Sequence, residues 1–383
     1  MLNSVKAFIR KAMGKRANRN LLSLDWINAV PIENVKPQSV KSIVFVIPPI
    51  SKGAGGHTSI LRIGTYLSSH GYDVVYAVDS TDFEEPQQIE QAKGCLSNYL
   101  GEIKSYKSIE NNHYDIVIAT DVMSVYYAQR LSGYKIIFVQ DYEPLFFATG
   151  DYSYIAKQVY KMGFHLISLG EWNKQMILKH VDDSLSIDTI QFPYEKSEYT
   201  YLKRDYSQLK TQKKLSLCAY LRNTPRRMPG LCQLISKSLT EKFANDGIEL
   251  SVFYYGETSL KYEYGKNLGK LNKKQLNQLY RDCDFGLVAS GTNISLVPYE
   301  MMATGLPIIE LKDGSFPYFF DDSDAFLFDL NYDSLYNEIK RAIANPEILV
   351  ERDKKIQDKL KNLSWDKTAQ EFKKIIENVV NNG

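Results

Sequence analysis

Cysteine is scarce in this sequence, and the four present, Cys95, Cys218, Cys232 and Cys283, stand far apart in 383 residues. Their spacing excludes a zinc site and a disulfide framework, which leaves buried thiols in a reducing compartment. No apolar run approaches the roughly 20 residues of a membrane-spanning helix. The first residues carry no apolar signal-peptide core. Charge of one sign is also lacking: the formal net charge is +2, which argues against nucleic acid as the main partner. What remains, 44% hydrophobic and 24% charged residues, is the composition of a soluble globular protein long enough for two cores.

The N-terminus is locally biased. Lys6, Arg10, Lys11, Lys15, Arg16 and Arg19 precede the first acid, Asp25. Leu2, Val5, Phe8, Ile9 and Met13 recur at helical spacing. Contact of residues 1–20 with an anionic membrane surface is one reading. A mobile tail or a helix packed on the domain is the other.

The first half of the chain reads as βαβ units. Ser42–Ile47 is a continuous apolar run, as in a parallel strand buried on both faces. A glycine-rich loop, Ser51–Thr58, leads into a helix to about Ser69, and Asp73–Val78 is the second strand. Gly53, Gly55 and Gly56 are too crowded for a dinucleotide fingerprint, but they admit close backbone approach by a ligand. Residues 81–112 read as a polar, helix-rich connection. Strands follow at Asp115–Thr120, Tyr134–Val139 and His165–Leu169. Gln140-Asp141-Tyr142-Glu143-Pro144 lies just past a strand's carboxyl end, where open α/β sheets bind ligands. Asp141 and Glu143 therefore face a substrate, or one of them caps the following helix. Glu171 opens another helix, where its charge also complements the helix dipole. The polar run Glu195–Lys214 reads as a linker.

A second set of units starts at Leu215–Tyr220. Its first loop carries Arg222, Arg226 and Arg227, a cluster suited to bidentate phosphate recognition. Ile248–Tyr255 is a strand, and Asn267–Lys273 precedes a helix over 275–282. Asp284–Ala289 is a short buried strand. A polar loop, Ser290–Ser295, then leads to a helix with Pro298 near its start and Gly305 at its end. Glu300 is placed in that helix's first turn. Such a strand-loop-helix unit offers free N–H groups and a helix dipole to an anion. Ser364–Asp366 begins a terminal helix. Asp322-Ser323-Asp324 spells a metal-binding Asp-x-Asp, but carboxylates in such a turn are usually solvated.

The stretch from Thr292 through Glu300 to Ile309 resembles the donor motif of retaining GT-B glycosyltransferases of family GT4. There two Glu residues stand eight positions apart, and Ala-Met-Ala-x-Gly-x-Pro-Val follows the second. Glu300 matches the second, a ribose ligand; Thr292 replaces the first, a sugar ligand. The Gly-Gly loop and the Gly170-Glu171-Trp172 turn fit the same family. The Gln140–Pro144 stretch resembles a narrower group, the WsaF-type bacterial rhamnosyltransferases, which use dTDP-rhamnose to build cell-surface polysaccharide.

The resemblance implies an α/β GT-B fold: two Rossmann-like domains facing a central cleft, with the C-terminal helix crossing back to the first. The expected division is a basic extension (1–40), an acceptor domain (41–204, with 364–383) and a nucleotide-sugar donor domain (205–363). It implies Asp141, Glu143 and Arg222 as catalytic residues. Arg222, Arg226, Arg227 and the loop Asn293, Ile294, Ser295 and Leu296 would hold the diphosphate. Glu300, Lys270 and Leu271 would hold ribose and base, and Gly55, Gly56, His57, Tyr142 and Glu171 would line the acceptor side. No firm nucleophile matches, so front-face chemistry with retention is expected: the leaving phosphate takes the acceptor proton and the arginines hold that phosphate. The expected partners are a nucleotide sugar, best dTDP-rhamnose, and a glycan acceptor, lipid-linked or free. No metal and no cofactor are expected. The place expected is the cytoplasm, including the inner membrane face. A UDP- or GDP-sugar enzyme, and a catalytically weak binding module, are the alternatives.

Overall fold

The computed structural model describes residues 21, 24–80, 82–181, 185–259, 262 and 264–381. The basic segment 1–20 lies outside them. The first sheet has seven strands: β1 Ser42–Ile47, β2 Asp73–Val78, β3 Glu102–Ser105, β4 His113–Ala119, β5 Ser132–Val139, β6 His165–Leu169 and β7 Ile187–Ile190. All are parallel, in the order β3-β2-β1-β4-β5-β6-β7. The second has six: β8 Lys214–Tyr220, β9 Glu249–Tyr255, β10 Lys266–Asn267, β11 Phe285–Leu287, β12 Ile308–Leu311 and β13 Phe326–Phe328. These too are parallel, in the order β10-β9-β8-β11-β12-β13. The order reverses between β1 and β4 and between β8 and β11. The crevices past those carboxyl ends are where such sheets bind ligands.

Two strands escaped the sequence pattern. β3 lies inside the stretch read as a polar connection, and only its Ile103 is buried. β7 is an edge strand with two exposed residues of four. Neither carries the apolar run that marks a central parallel strand.

The helix Trp365–Asn381 packs on the first domain. Trp365, Ala369, Phe372, Ile376 and Val379 are its buried apolar residues, at helical spacing. Phe372 meets Phe45 of β1 and Phe138 of β5, with ring centroids 6.5 and 5.4 Å apart. Ser364 caps the helix by accepting from the Lys367 N–H at 3.1 Å.

The stretch read as a linker is held against the second sheet. Tyr199, Tyr206 and Leu209 are buried. Arg204 donates to the Cys283 carbonyl at 2.7 Å and to the Tyr280 carbonyl. Part of the expected N-terminal extension is likewise docked. Ile32 N–H donates to the Met162 carbonyl, Asn34 accepts from Lys135 N–H at 2.7 Å, and Trp26 packs on Tyr127. Across the two halves, Phe192 stacks on Tyr299 at 5.2 Å and meets Phe319 edge-on at 5.8 Å. Gly170, at φ 87°, lies so close to Phe319 that a Cβ would sit 2.3 Å from the ring. Only glycine permits both that backbone and that approach.

Candidate functional site

The two carboxyl-end crevices face one another, and Asp141 crosses between them. Thr292 Oγ1 donates to its Oδ2 at 2.8 Å, and the Asn293 N–H donates to Oδ1 at 2.9 Å. Arg226 Nη1 stands 3.4 Å from Oδ2. The Asn293 side-chain amide reaches on to the Gln140 and Leu169 carbonyls, at 2.7 and 2.9 Å. Burial raises the Asp141 pKa, and the Asn293 N–H, Arg226, Arg227 and the Thr292 hydroxyl oppose that.

Behind Asp141 the first sheet's edge is acidic. Glu143 accepts from the Val122 N–H at 3.0 Å, so it caps the helix Val122–Ala128 rather than a helix that follows it. Asp121 caps the same helix through the Ser124 N–H at 2.7 Å. Burial pushes the Glu143 pKa up to about 8, and Asp121 and Asp141 add to the rise. Asp79, past β2, is pushed to about 8 by burial and by Asp121. Neutral carboxylic acids in this row can donate hydrogen bonds as well as accept them.

Gly55 and Gly56 are the first residues of the helix Gly55–Ser69, not of a free loop. Ala54 at its N-cap provides no side-chain acceptor, so that helix end keeps unfilled N–H groups. A Cβ at Gly56 would rest 3.6 Å from the Gln140 side chain, so this terminus adjoins the Asp141 loop. The His57 ring lies 3.4 Å from the Pro48 carbonyl, and burial lowers its pKa.

Two residues expected on the acceptor side are engaged within the first domain. Tyr142 is buried, stacked between Tyr160 at 5.6 Å and His180 at 6.0 Å, because its side chain turns inward where Asp141 turns out. The Glu171 carboxylate accepts from Gln175 at 2.7 Å and from Thr189 at 3.4 Å, within its own helix and β7. Its place in the helix's first turn accounts for its charge.

From the second domain, the three arginines fall in three environments. Arg222 is exposed and makes no side-chain hydrogen bond or ion pair among the described residues. Arg226 lies over the Phe146 ring, 3.9 Å from its centroid. Arg227 is buried near Glu310, and its Nη1 has no partner. The loop is fixed from both sides: Met228, at φ 43°, turns it into the helix Pro229–Asn245, and Gly291 N–H donates to the Arg226 carbonyl at 3.3 Å. A side chain at Gly291 would strike that carbonyl and Met228. The Ser290–Ser295 loop and the arginine loop are therefore packed directly on each other.

Of the four loop amides expected to meet phosphate, two are occupied. Asn293 N–H serves Asp141, and Ile294 N–H serves the Asn293 side chain at 3.1 Å. The Ile294 side chain is buried in the core. Ser295 and Leu296 N–H make no hydrogen bond among the described residues. Ser295 is the N-cap of the helix Leu296–Ala303 without capping it, and its hydroxyl is buried without a partner. Glu300 belongs to that helix's second turn, not its first. Burial pushes its pKa up to about 7; Glu198 adds, while Tyr199 and Lys273 oppose. Lys270 is exposed and Leu271 half-buried, past the end of the two-residue β10. Asp324, of the Asp-x-Asp, is buried and paired with Lys355 and Lys359.

Sequence reasoning missed the bonds from Thr292 and Asn293 to the first domain. No local signal encodes a contact between residues about 150 positions apart.

No family model matches the chain. Over 204 residues it is 28% identical to the O-antigen biosynthesis protein RfbC of Myxococcus xanthus, a match covering 51% of this chain and 15% of that protein. The chain thus spans only a small part of that relative. Among solved structures, sucrose-phosphate synthase from Thermosynechococcus elongatus superposes with a TM-score of 0.68 at 12% identity, over 90% of this chain and 100% of that one. Anabaena HepE, in complex with UDP and glucose, gives 0.66 at 13%, over 88% and 100%. TarM gives 0.66 at 12%, over 91% and 100%. At such identities the likeness is one of fold, and the fold of this chain is GT-B.

Proposed function

We propose that this chain is a metal-independent, retaining glycosyltransferase that moves a sugar from a nucleoside-diphosphate donor to a hydroxyl of a cell-surface polysaccharide. One observation carries the reading. A hydroxyl, a backbone N–H and an arginine already converge on a carboxylate, Asp141, at the mouth of both sheets. That is an anion cradle, with the unpaired Arg222 and the free amides of Ser295 and Leu296 beside it. A diphosphate supplies the charge such a cradle suits. Glu300 accepts the 3′-hydroxyl that every candidate donor carries. The arginines hold the leaving phosphate, which takes the proton of the attacking hydroxyl.

Rhamnose from dTDP-rhamnose is the donor sugar we favour, on the Gln140–Pro144 resemblance and the O-antigen relative. The UDP in the HepE structure favours a UDP-sugar as the second reading. Calorimetric titration with dTDP, UDP and GDP, without added metal, separates the two. Selective dTDP binding, followed by transfer from dTDP-rhamnose to a rhamnan, supports the first. Binding of none of the three overturns the transferase reading.

A further inference from the structure

The residues that follow the Asp141 loop form a surface that no part of the reading above uses. Leu145, Phe146, Phe147, Tyr152 and Tyr154 are exposed by 45, 37, 41, 38 and 67%. Five large apolar side chains within ten residues exceed the scattered exposure that needs no explanation. Phe147 and Tyr152 stack on each other, 5.7 Å apart at 25°, and so present two nearly parallel rings. Phe146 ties the surface to the cleft, since it carries the Arg226 guanidinium that meets Asp141.

The geometry points to an aromatic platform, the stacked Phe147 and Tyr152, on which a pyranose unit of the acceptor glycan stacks as it enters the cleft. The ligand's name as acceptor rests on the transferase reading; the platform itself does not. Three features favour a neutral sugar. The surface is made mainly of flat rings, which offer large contact area at little cost in side-chain entropy. It continues into the anion cradle through Phe146 and Arg226, so a glycan lying on it leads to the reacting centre. Between Leu145 and Tyr154 the charged residue is an acid, Asp151, and the next lysine along the chain is Lys157. An anionic membrane surface would be met by cations instead.

The test uses the full chain, with rhamnotetraose, mannotetraose and maltotetraose as probes, by saturation-transfer NMR and calorimetry. At least one saccharide is expected to bind. Combining Phe147→Ala with Tyr152→Ala is expected to weaken it roughly tenfold, the loss of an aromatic hot spot. Phe147→Tyr with Tyr152→Phe, which keeps the rings, is expected to retain it. Thermal unfolding checks that the variants are folded. Absence of binding to all three saccharides, or unchanged affinity in the alanine variant, overturns the platform. So does a variant that keeps saccharide binding but loses sedimentation with phosphatidylglycerol vesicles, because the surface then serves lipid. Titrations with dTDP, UDP and GDP run in parallel. Saccharide binding without nucleotide binding retires the transferase reading and leaves the platform standing.

Discussion

Burial assigns the three arginines different work, although the sequence presents them as one cluster. Arg222 is exposed and, among the described residues, unpaired, so its removal breaks no side-chain contact there. Arg222→Ala is expected to weaken nucleoside-diphosphate binding roughly 10- to 100-fold, the range for a lost hydrogen bond to a charged group. Its melting temperature should stay unchanged. Arg227→Ala should do the reverse first: it strips a buried charge from beside Glu310 and costs about 2–4 kcal/mol of stability, read by urea unfolding. Equal stability loss in both variants would refute this division. Glu300 adds a pH dependence. Its carboxyl, pushed to about 7 chiefly by burial, gains its charge as pH rises from 6 to 8. The anion accepts hydroxyl hydrogen bonds more strongly than the neutral acid. Nucleotide affinity should therefore rise roughly fivefold over that interval beyond any slope shown by Glu300→Gln. Parallel slopes in the two proteins would remove Glu300 from the site.

Among the helix ends at the cleft that lack a capping side chain are the Ala54 end of Gly55–Ser69 and the Ser295 end of Leu296–Ala303. A helix that forgoes a capping side chain gives up about 1 kcal/mol. Ala54→Asp should recover that stability, seen as a higher melting temperature. It should also slow transfer, because a fixed carboxylate then competes for the N–H groups beside Gly56. A stabilised variant with full activity would show that this helix end meets no substrate. Elements of this kind were legible in the sequence where one signal dominated. β1, β2, β5, β6, β8 and β9 announced themselves by apolar runs, and the terminal helix by its Ser364-Trp365-Asp366 start. Edge strands such as β3 and β7, half-polar and short, gave no run to read. The linker stretch hid its packing for another reason. Its composition is polar, and Tyr199, Tyr206 and Leu209, which lie buried against the second sheet, stand at irregular spacing. At the site, residue types were legible and their partners were not. Asp141 was found from its place after β5, while Thr292 and Asn293, which hold it, come from the other domain. Tyr142 was misplaced because position in a loop does not say which way a side chain turns.

The two domains meet through a charge that belongs to neither core. Asp141 is fixed by Thr292, Asn293 and Arg226, and it occupies donors that also suit a phosphate. A carboxylate held this way offsets part of the arginine charge while no nucleotide is bound. A bound diphosphate then competes with Asp141 for Arg226, and what it gains must exceed what that contact loses. Asp141→Asn removes the competing charge while its side-chain oxygen still accepts from Asn293 N–H. The variant should bind nucleoside diphosphate severalfold more tightly, by calorimetry at low ionic strength, where charge competition is least screened. Transfer should fall at the same time, since the carboxylate beside the reacting centre is gone. Tighter binding with lost turnover separates a charge that both competes and positions from one that only joins the domains. A residue that merely joined them would, when neutralised, loosen nucleotide and turnover together. Weaker binding in Asp141→Asn would therefore overturn the competition, and the cradle would have to be read as an interface alone.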